Sequence, residues 1–195
     1  MLDIERSERS KYRRMWDQPQ YRIGSPGLRV VRDFLLDCKP MMGREVVTLV
    51  DLGCGTGRAG ELLSRYPAIK VDLVDFAPNA NETGKDVLDI CLWDLQGFGS
   101  RHWDWGYCVD VLEHIPPEKV PATLDTISRV TDAVFFEIAT VEDGCGDLIG
   151  EDLHLTVRPP DWWHTMARQY WPVVNCEELS KRRVRLLCKG NKHGG

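Results

Sequence analysis

Short apolar runs rich in β-branched residues alternate with amphipathic stretches along most of the chain. Residues 45–50 (EVVTLV) form such a run, the pattern of a strand covered on both faces. A glycine-rich turn at 53–57 follows, and the period then turns helical over 58–66 until Pro67 stops it. Residues 71–75 predict a second strand closed by Asp75, and 87–95 a weaker third. Between them, 78–86 (PNANETGKD) are all turn formers, so this crossover is short or irregular. A fourth strand is expected at 105–109, a helix over 118–130 and a fifth strand at 133–139. After a loop over 140–160 come a helix over 160–170 and two strands, 172–176 and 183–188, spaced like an antiparallel hairpin. At the front, 3–17 reads as a helix with little apolar face, hence exposed or lid-like. Ser25-Pro26 has helix-start chemistry, and the helix over 26–38 sets Leu28, Val31, Leu35 and Leu36 on one stripe. This alternation predicts an α/β fold: a doubly wound, mostly parallel seven-stranded sheet with an antiparallel C-terminal hairpin. Ligand chemistry belongs at the C-terminal ends of its strands.

Composition adds limits. The 195 residues, without internal repeats, read as one domain (1–195) led by a helical or lid segment over 1–25. A hydrophobic share of 43% and a charged share of 28% are near globular averages, which excludes disordered and fibrous architectures. No apolar stretch approaches the ~18 residues of a membrane-spanning helix, and the charged N-terminus lacks a signal-peptide core. A cytoplasmic protein without a membrane partner is therefore expected. The seven cysteines sit singly with no C-x-x-C pair, which reads as reduced core thiols. The five histidines (102, 114, 154, 164 and 193) have no ligand spacing, so no metal is expected. Formal charge is +4 over 1–32, −15 over 33–179 and +6 over 180–195. An acidic body repels polyanions, so nucleic acid is not the favoured partner, although the basic ends leave a local contact open. A monomer and a homodimer are both compatible with the chain.

The strand, glycine turn and helix over 46–66 carry the most specific chemistry. Gly53, Gly55 and Gly57 let the backbone approach a ligand with no Cβ in the way. Asp75, 18 residues after Gly57, can accept hydrogen bonds from a ribose diol. A dinucleotide site wants G-x-G-x-x-G, whereas this turn reads G-C-G-T-G after an aspartate at 51. The string VDLGCGTG closely resembles motif I of class I S-adenosylmethionine-dependent methyltransferases.

That resemblance implies S-adenosyl-L-methionine as cofactor. It implies that Asp51 orients the methionine ammonium and that Gly53, Cys54 and Gly55 line the methionine and ribose. It further implies that Phe76 packs on the adenine beside Asp75, with Ala77 the alternative. Leu92-Trp93-Asp94-Leu95 is similar to the family's segment after the third strand, which assigns Asp94 and Leu95 to the adenine amino group; the alternative is Trp93 and Leu95 in the core with Asp94 in a turn. Asp110-Val111-Leu112-Glu113-His114 resembles the segment after the fourth strand, where Asp110 and Val111 face the cofactor and His114 is either functional or a helix-start residue. Tyr21-Arg22 before Ser25-Pro26-Gly27, together with LHLTV at 153–157 and Trp162-Trp163, looks like a subgroup of small stand-alone methyltransferases of bacteriophage and bacterial type. In that subgroup the segment holding Tyr21 closes over the methionine end; the alternative is an anchor for the following helix.

Methyl transfer needs a nucleophile held near the methyl carbon, plus proton removal when an alcohol or amine is methylated. His154, in the loop after the fifth strand, is the candidate base, and the alternative is a histidine that pins its loop. Glu137 is a second carboxylate near the crevice, and Trp103, Trp105, Trp162 and Trp163 line an acceptor pocket or pack the core. The chain has neither the N-P-P-Y tetrapeptide of amino methyltransferases of DNA nor the Pro-Cys of cytosine C5 enzymes. The expected activity is methyl transfer to an unidentified acceptor, at an oxygen or nitrogen of a small molecule, nucleotide or glycan. The alternative is a non-catalytic S-adenosylmethionine-binding module of the same fold.

Overall fold

The computed structural model describes residues 2–37 and 46–190; Cys38 and the end of the expected 26–38 helix lie outside them. Five parallel strands, β1 (Val47–Leu52), β2 (Ile69–Asp75), β3 (Val87–Asp89), β4 (Trp103–Val109) and β5 (Thr131–Ala139), share a sheet with β6 (Val173–Ser180) and β7 (Arg183–Lys189). The order is β3-β2-β1-β4-β5-β7-β6, with β7 inserted antiparallel between β5 and β6. The order reverses between β1 and β4, and a doubly wound sheet opens its ligand crevice at such a switch point.

Alternate residues of the central strands face opposite layers. On one side Trp105, Tyr107 and Phe135 meet Phe34 of α3 (Pro26–Asp37) edge-on, with ring centroids 5.1–5.7 Å apart. Ala59 and Leu63 of α4 (Arg58–Leu63) complete that layer. On the other side Val50, Leu52, Cys108 and Phe136 pack against Val120, Leu124 and Ile127 of α6 (Val120–Val130). Trp163 of α7 (Pro160–Ala167) and Trp171 join the same core.

Several local expectations change. Helix α3 buries Val30, Val31 and Phe34, while Leu28 and Leu36 of the expected stripe are exposed. The helix after the glycine turn ends at Leu63, short of the expected 66. Strand β3 stops at Asp89, well before 95, because residues after it turn back: the Asp94 N–H donates to the Cys91 carbonyl at 2.9 Å. The crossover before it holds one 3-10 turn, Pro78–Ala80. Helix α1 (Leu2–Trp16) is not simply exposed, since Tyr12, Met15 and even Lys11 are buried against the body. Trp103 and Trp163 lie in the core on the α6 side, against which Trp162 packs, and Trp105 lies in the core on the α3 side. Cys54, Cys91, Cys108 and Cys188 are buried free thiols, whereas Cys145 and Cys176 are exposed. Among the described residues, no helix is long and apolar enough to cross a membrane.

Candidate active site

At the C-terminal end of β1 the chain turns sharply under the switch point. The Gly53 and Cys54 N–H groups both donate to the Val74 carbonyl of β2, at 2.8 and 3.0 Å. Gly53 has φ +72°, and a Cβ there would sit 2.6 Å from Val111 Cγ2. Gly55 has φ +49°, and its Cβ would lie 2.8 Å from Trp16 Cζ2. Both positions therefore exclude side chains on backbone and on space.

Two buried aspartates hold this turn. Asp75 Oδ2 accepts the Gly55 N–H at 2.8 Å, and Oδ1 accepts the Ala77 N–H at 2.7 Å. Burial raises the Asp75 pKa, and those backbone donors oppose the rise. Asp51 Oδ2 accepts the Gly60 N–H of α4 at 3.0 Å. Burial pushes the Asp51 carboxyl up to about 7, the Gly60 N–H pulls against it, and the nearby Asp75 charge adds to the rise.

Two adjoining cavities open here, sharing Trp16, Tyr21, Gly53, Asp110 and His114. Counted with the open solvent at their mouths, they hold about 610 and 1020 Å³. The first is an apolar slot walled by Phe76, Ile90, Leu92, Trp93 and Val111, with the Asp75 carboxylate at its edge. The second is the more polar of the two and runs from Asp51 and the Gly53–Thr56 turn past Ser25 to Asp143 and His154.

Helix α1 roofs the first cavity. The Arg9 guanidinium lies 5.6 Å from the Phe76 ring centre and pairs with Asp89. Tyr12 contacts Phe76 and places its hydroxyl 2.7 Å from His114 Nδ1. Trp16 meets Tyr21 edge-on at 4.6 Å. Enclosure by protein, then the neighbouring His154, push the His114 pKa down to about 3, so this imidazole is neutral. His154 Nδ1 lies 2.6 Å from the Val141 carbonyl oxygen, which can only accept; Nδ1 therefore carries a proton, and in the neutral ring the lone pair lies on Nε2. Asp110 has φ +53° and its carboxylate pairs with Arg183.

Residues 49–133 match a family described as "Methyltransferase domain". That stretch holds the glycine turn, Asp75 and β2 to β4, so this part of the chain is similar to a methyltransferase domain. No curated protein matches the sequence. Solved structures share the fold. DhpI, in complex with S-adenosylhomocysteine, superposes with a TM-score of 0.68 at 16% identity, covering 98% of this chain and 100% of that one. The N-methyltransferase NodS from Bradyrhizobium japonicum WM9, also with S-adenosylhomocysteine, gives 0.60 at 13% identity over 94% and 97%. An O-methyltransferase family protein from Burkholderia thailandensis gives 0.62 at 13% identity over 84% of this chain. The present chain spans 58% of that protein's length. Both DhpI and NodS hold S-adenosylhomocysteine, the product form of S-adenosylmethionine.

The cavities fit that group: an apolar slot beside a buried carboxylate suits an adenosine, and a polar cavity beside Asp51 suits an amino-acid end. Of the residues singled out in the sequence, Asp51, Gly53, Cys54, Gly55, Asp75, Phe76, Asp110, Val111, Tyr21 and His154 all line one cavity or both. Asp94 and Leu95 do not. Asp94 is exposed and caps the short helix α5 (Leu95–Phe98), its Oδ1 accepting the Gln96 N–H at 3.1 Å, and Leu95 points outward. Ile90, Leu92 and Trp93 take that part of the wall because the chain turns early after β3. Glu137 is also absent from the two cavities: fully buried, it pairs with Arg29 at 2.6 Å and Arg185 at 3.1 Å. Sequence reasoning missed Tyr12 and Trp16, although both aromatic residues stand on one face of the 3–17 helix.

Proposed function

We propose that this chain, with S-adenosylmethionine as cofactor, methylates an oxygen or nitrogen of an acceptor that enters the polar cavity, whether a small molecule, a nucleotide or a glycan, and that His154 takes the acceptor's proton. The observation that carries this reading is the His154 side chain. It lines the polar cavity that begins at the glycine turn, with its Nδ1–H spent on Val141 and its Nε2 lone pair left for a proton. When bound, S-adenosylmethionine supplies an electrophilic methyl carbon.

The remaining roles belong to the chain. Asp75, with two backbone donors already fixed on it, retains lone pairs for the ribose hydroxyls. Phe76, Ile90, Leu92 and Trp93 enclose the adenine, and Val111 and the backbone at Asp110 border the reacting end. Asp51 holds the methionine ammonium beside the Gly53, Cys54 and Gly55 backbone. Tyr12, Trp16 and Tyr21 exclude water from above, which strengthens each polar contact inside.

The test is release of S-adenosylhomocysteine from S-adenosylmethionine in the presence of fractionated metabolite, nucleotide and glycan pools. Release above the acceptor-free rate with one pool, and a mass gain of one methyl on its oxygen or nitrogen, supports the reading. Methylation only at carbon or sulfur would overturn it.

A further inference from the structure

Glu113 and His114 stand in the 3-10 turn Leu112–His114 after β4, and His154 in the loop after β5. Although His154 is far from the other two in sequence, one ligand atom from each of the three lies within 4.8 Å of the other two. The two imidazole rings meet nearly perpendicular, with centroids 4.6 Å apart. We infer that Glu113, His114 and His154 form a binding site for a divalent first-row transition-metal ion at the acceptor end of the polar cavity. This rests on reading that cavity as the acceptor's.

The outer atom of every ligand is already held. His154 donates Nδ1–H to the Val141 carbonyl at 2.6 Å. The Tyr12 hydroxyl donates to the Leu153 carbonyl at 3.4 Å, and with its proton so used it accepts Nδ1–H of His114 at 2.7 Å. Glu113 Oε1 accepts the Ala139 N–H at 2.8 Å. What remains is one lone pair on each Nε2 and the second carboxylate oxygen. Metal-ligating histidines are oriented in this way, with the far N–H on a carbonyl or another polar group.

The second carboxylate oxygen is the independent observation. Glu113 is 0% exposed, and its Oε2 has no hydrogen-bond partner. A buried carboxylate oxygen without a partner is costly, and a cation supplies what the surrounding donors do not. Two imidazoles and one carboxylate suit zinc, cobalt, iron or manganese with open positions, and suit magnesium or calcium poorly. Glu142, Asp143 and Asp152, with Arg158, line a further cavity that also contains His154 and carries an excess of acidic groups, an approach for a cation. An ion held there would polarise an acceptor hydroxyl whose proton would leave to solvent, so in the metal-loaded chain His154 would serve as ligand, and its role as base belongs to the metal-free chain.

The experiment titrates Co²⁺, followed by its visible absorption, and Zn²⁺, followed by calorimetry, into the chelator-treated full chain. The result expected is one ion per chain. Glu113→Gln keeps an oxygen for the Ala139 N–H, and His154→Gln lies in a loop; each should weaken binding by ~10-fold or more while the circular dichroism spectrum is kept. No uptake by the wild-type chain overturns the inference. So does uptake that survives both substitutions, or that is abolished by Cys145→Ser instead. S-adenosylhomocysteine affinity and acceptor methylation, measured on the same metal-free samples, separate a failed metal site from a failed acceptor reading.

Discussion

Asp75 and Gly55 are joined at 2.8 Å, carboxylate Oδ2 to backbone N–H, so the residue assigned to the ribose also holds the glycine turn in shape. Asp75 Oδ1 does the same for the Ala77 N–H. Asp75→Ala therefore leaves two buried donors unpaired. We expect a stability loss of about 2–4 kcal/mol together with at least a tenfold weaker S-adenosylhomocysteine affinity. Chemical denaturation and calorimetry on the same variant check both; lost affinity with untouched stability would contradict the bracing role.

Asp51 makes stability depend on pH. A carboxyl whose pKa rises on folding, from about 4 in an unfolded chain to about 7, binds its proton more tightly when folded. Its contribution is intact below pH ~4 and is lost as the pH rises through about 7, on the order of 4 kcal/mol in all. Asp51→Asn retains an oxygen for the Gly60 N–H and should remove this slope from the ligand-free denaturation curve measured between pH 4 and 8. An ammonium beside Asp51 favours the ionised form, so wild-type S-adenosylhomocysteine affinity should increase from pH 6 to 8, and the Asn variant should not follow it.

Trp16 rests where a Gly55 side chain would be. Gly55→Val should abolish cofactor binding and unseat the end of α1, read as increased Trp16 solvent quenching. In the wild-type chain, α1 and Tyr21 form the roof of the cavities, so amide exchange over 8–22 should slow when S-adenosylhomocysteine binds. Equal exchange with and without ligand would make this segment a fixed wall.

His154→Gln can still donate to the Val141 carbonyl but cannot take a proton or bind a metal well. Once an acceptor is in hand, turnover should fall by ~10²–10⁴-fold. Cofactor affinity and melting temperature should stay within error of wild type, because Asp51 and Asp75 are untouched. Parallel losses of stability and turnover would mean that His154 only pins its loop.

Local chemistry was legible in the sequence wherever the physics is local. Residues 46–66 announce a strand, a turn that only glycine can make and a helix. Asp75 closes the next apolar run, and the apolar runs of β4 and β5 mark buried strands. Backbone freedom and side-chain period act within a few residues, so these features need no partner to be read. The tertiary structure decided what depends on contacts between distant segments. It placed β7 between β5 and β6, and it drew Glu137 out of the crevice into a cage of arginines. An early turn after β3 made Asp94 a helix cap and gave its wall to Ile90, Leu92 and Trp93. Tyr12 and Trp16 became part of the site only because α1 packs across the sheet's open end, and His114 met His154 only because the loops after β4 and β5 share that end. Cavity walls and ligand clusters are properties of packed surfaces, and no short-range pattern in a chain encodes which surfaces will meet.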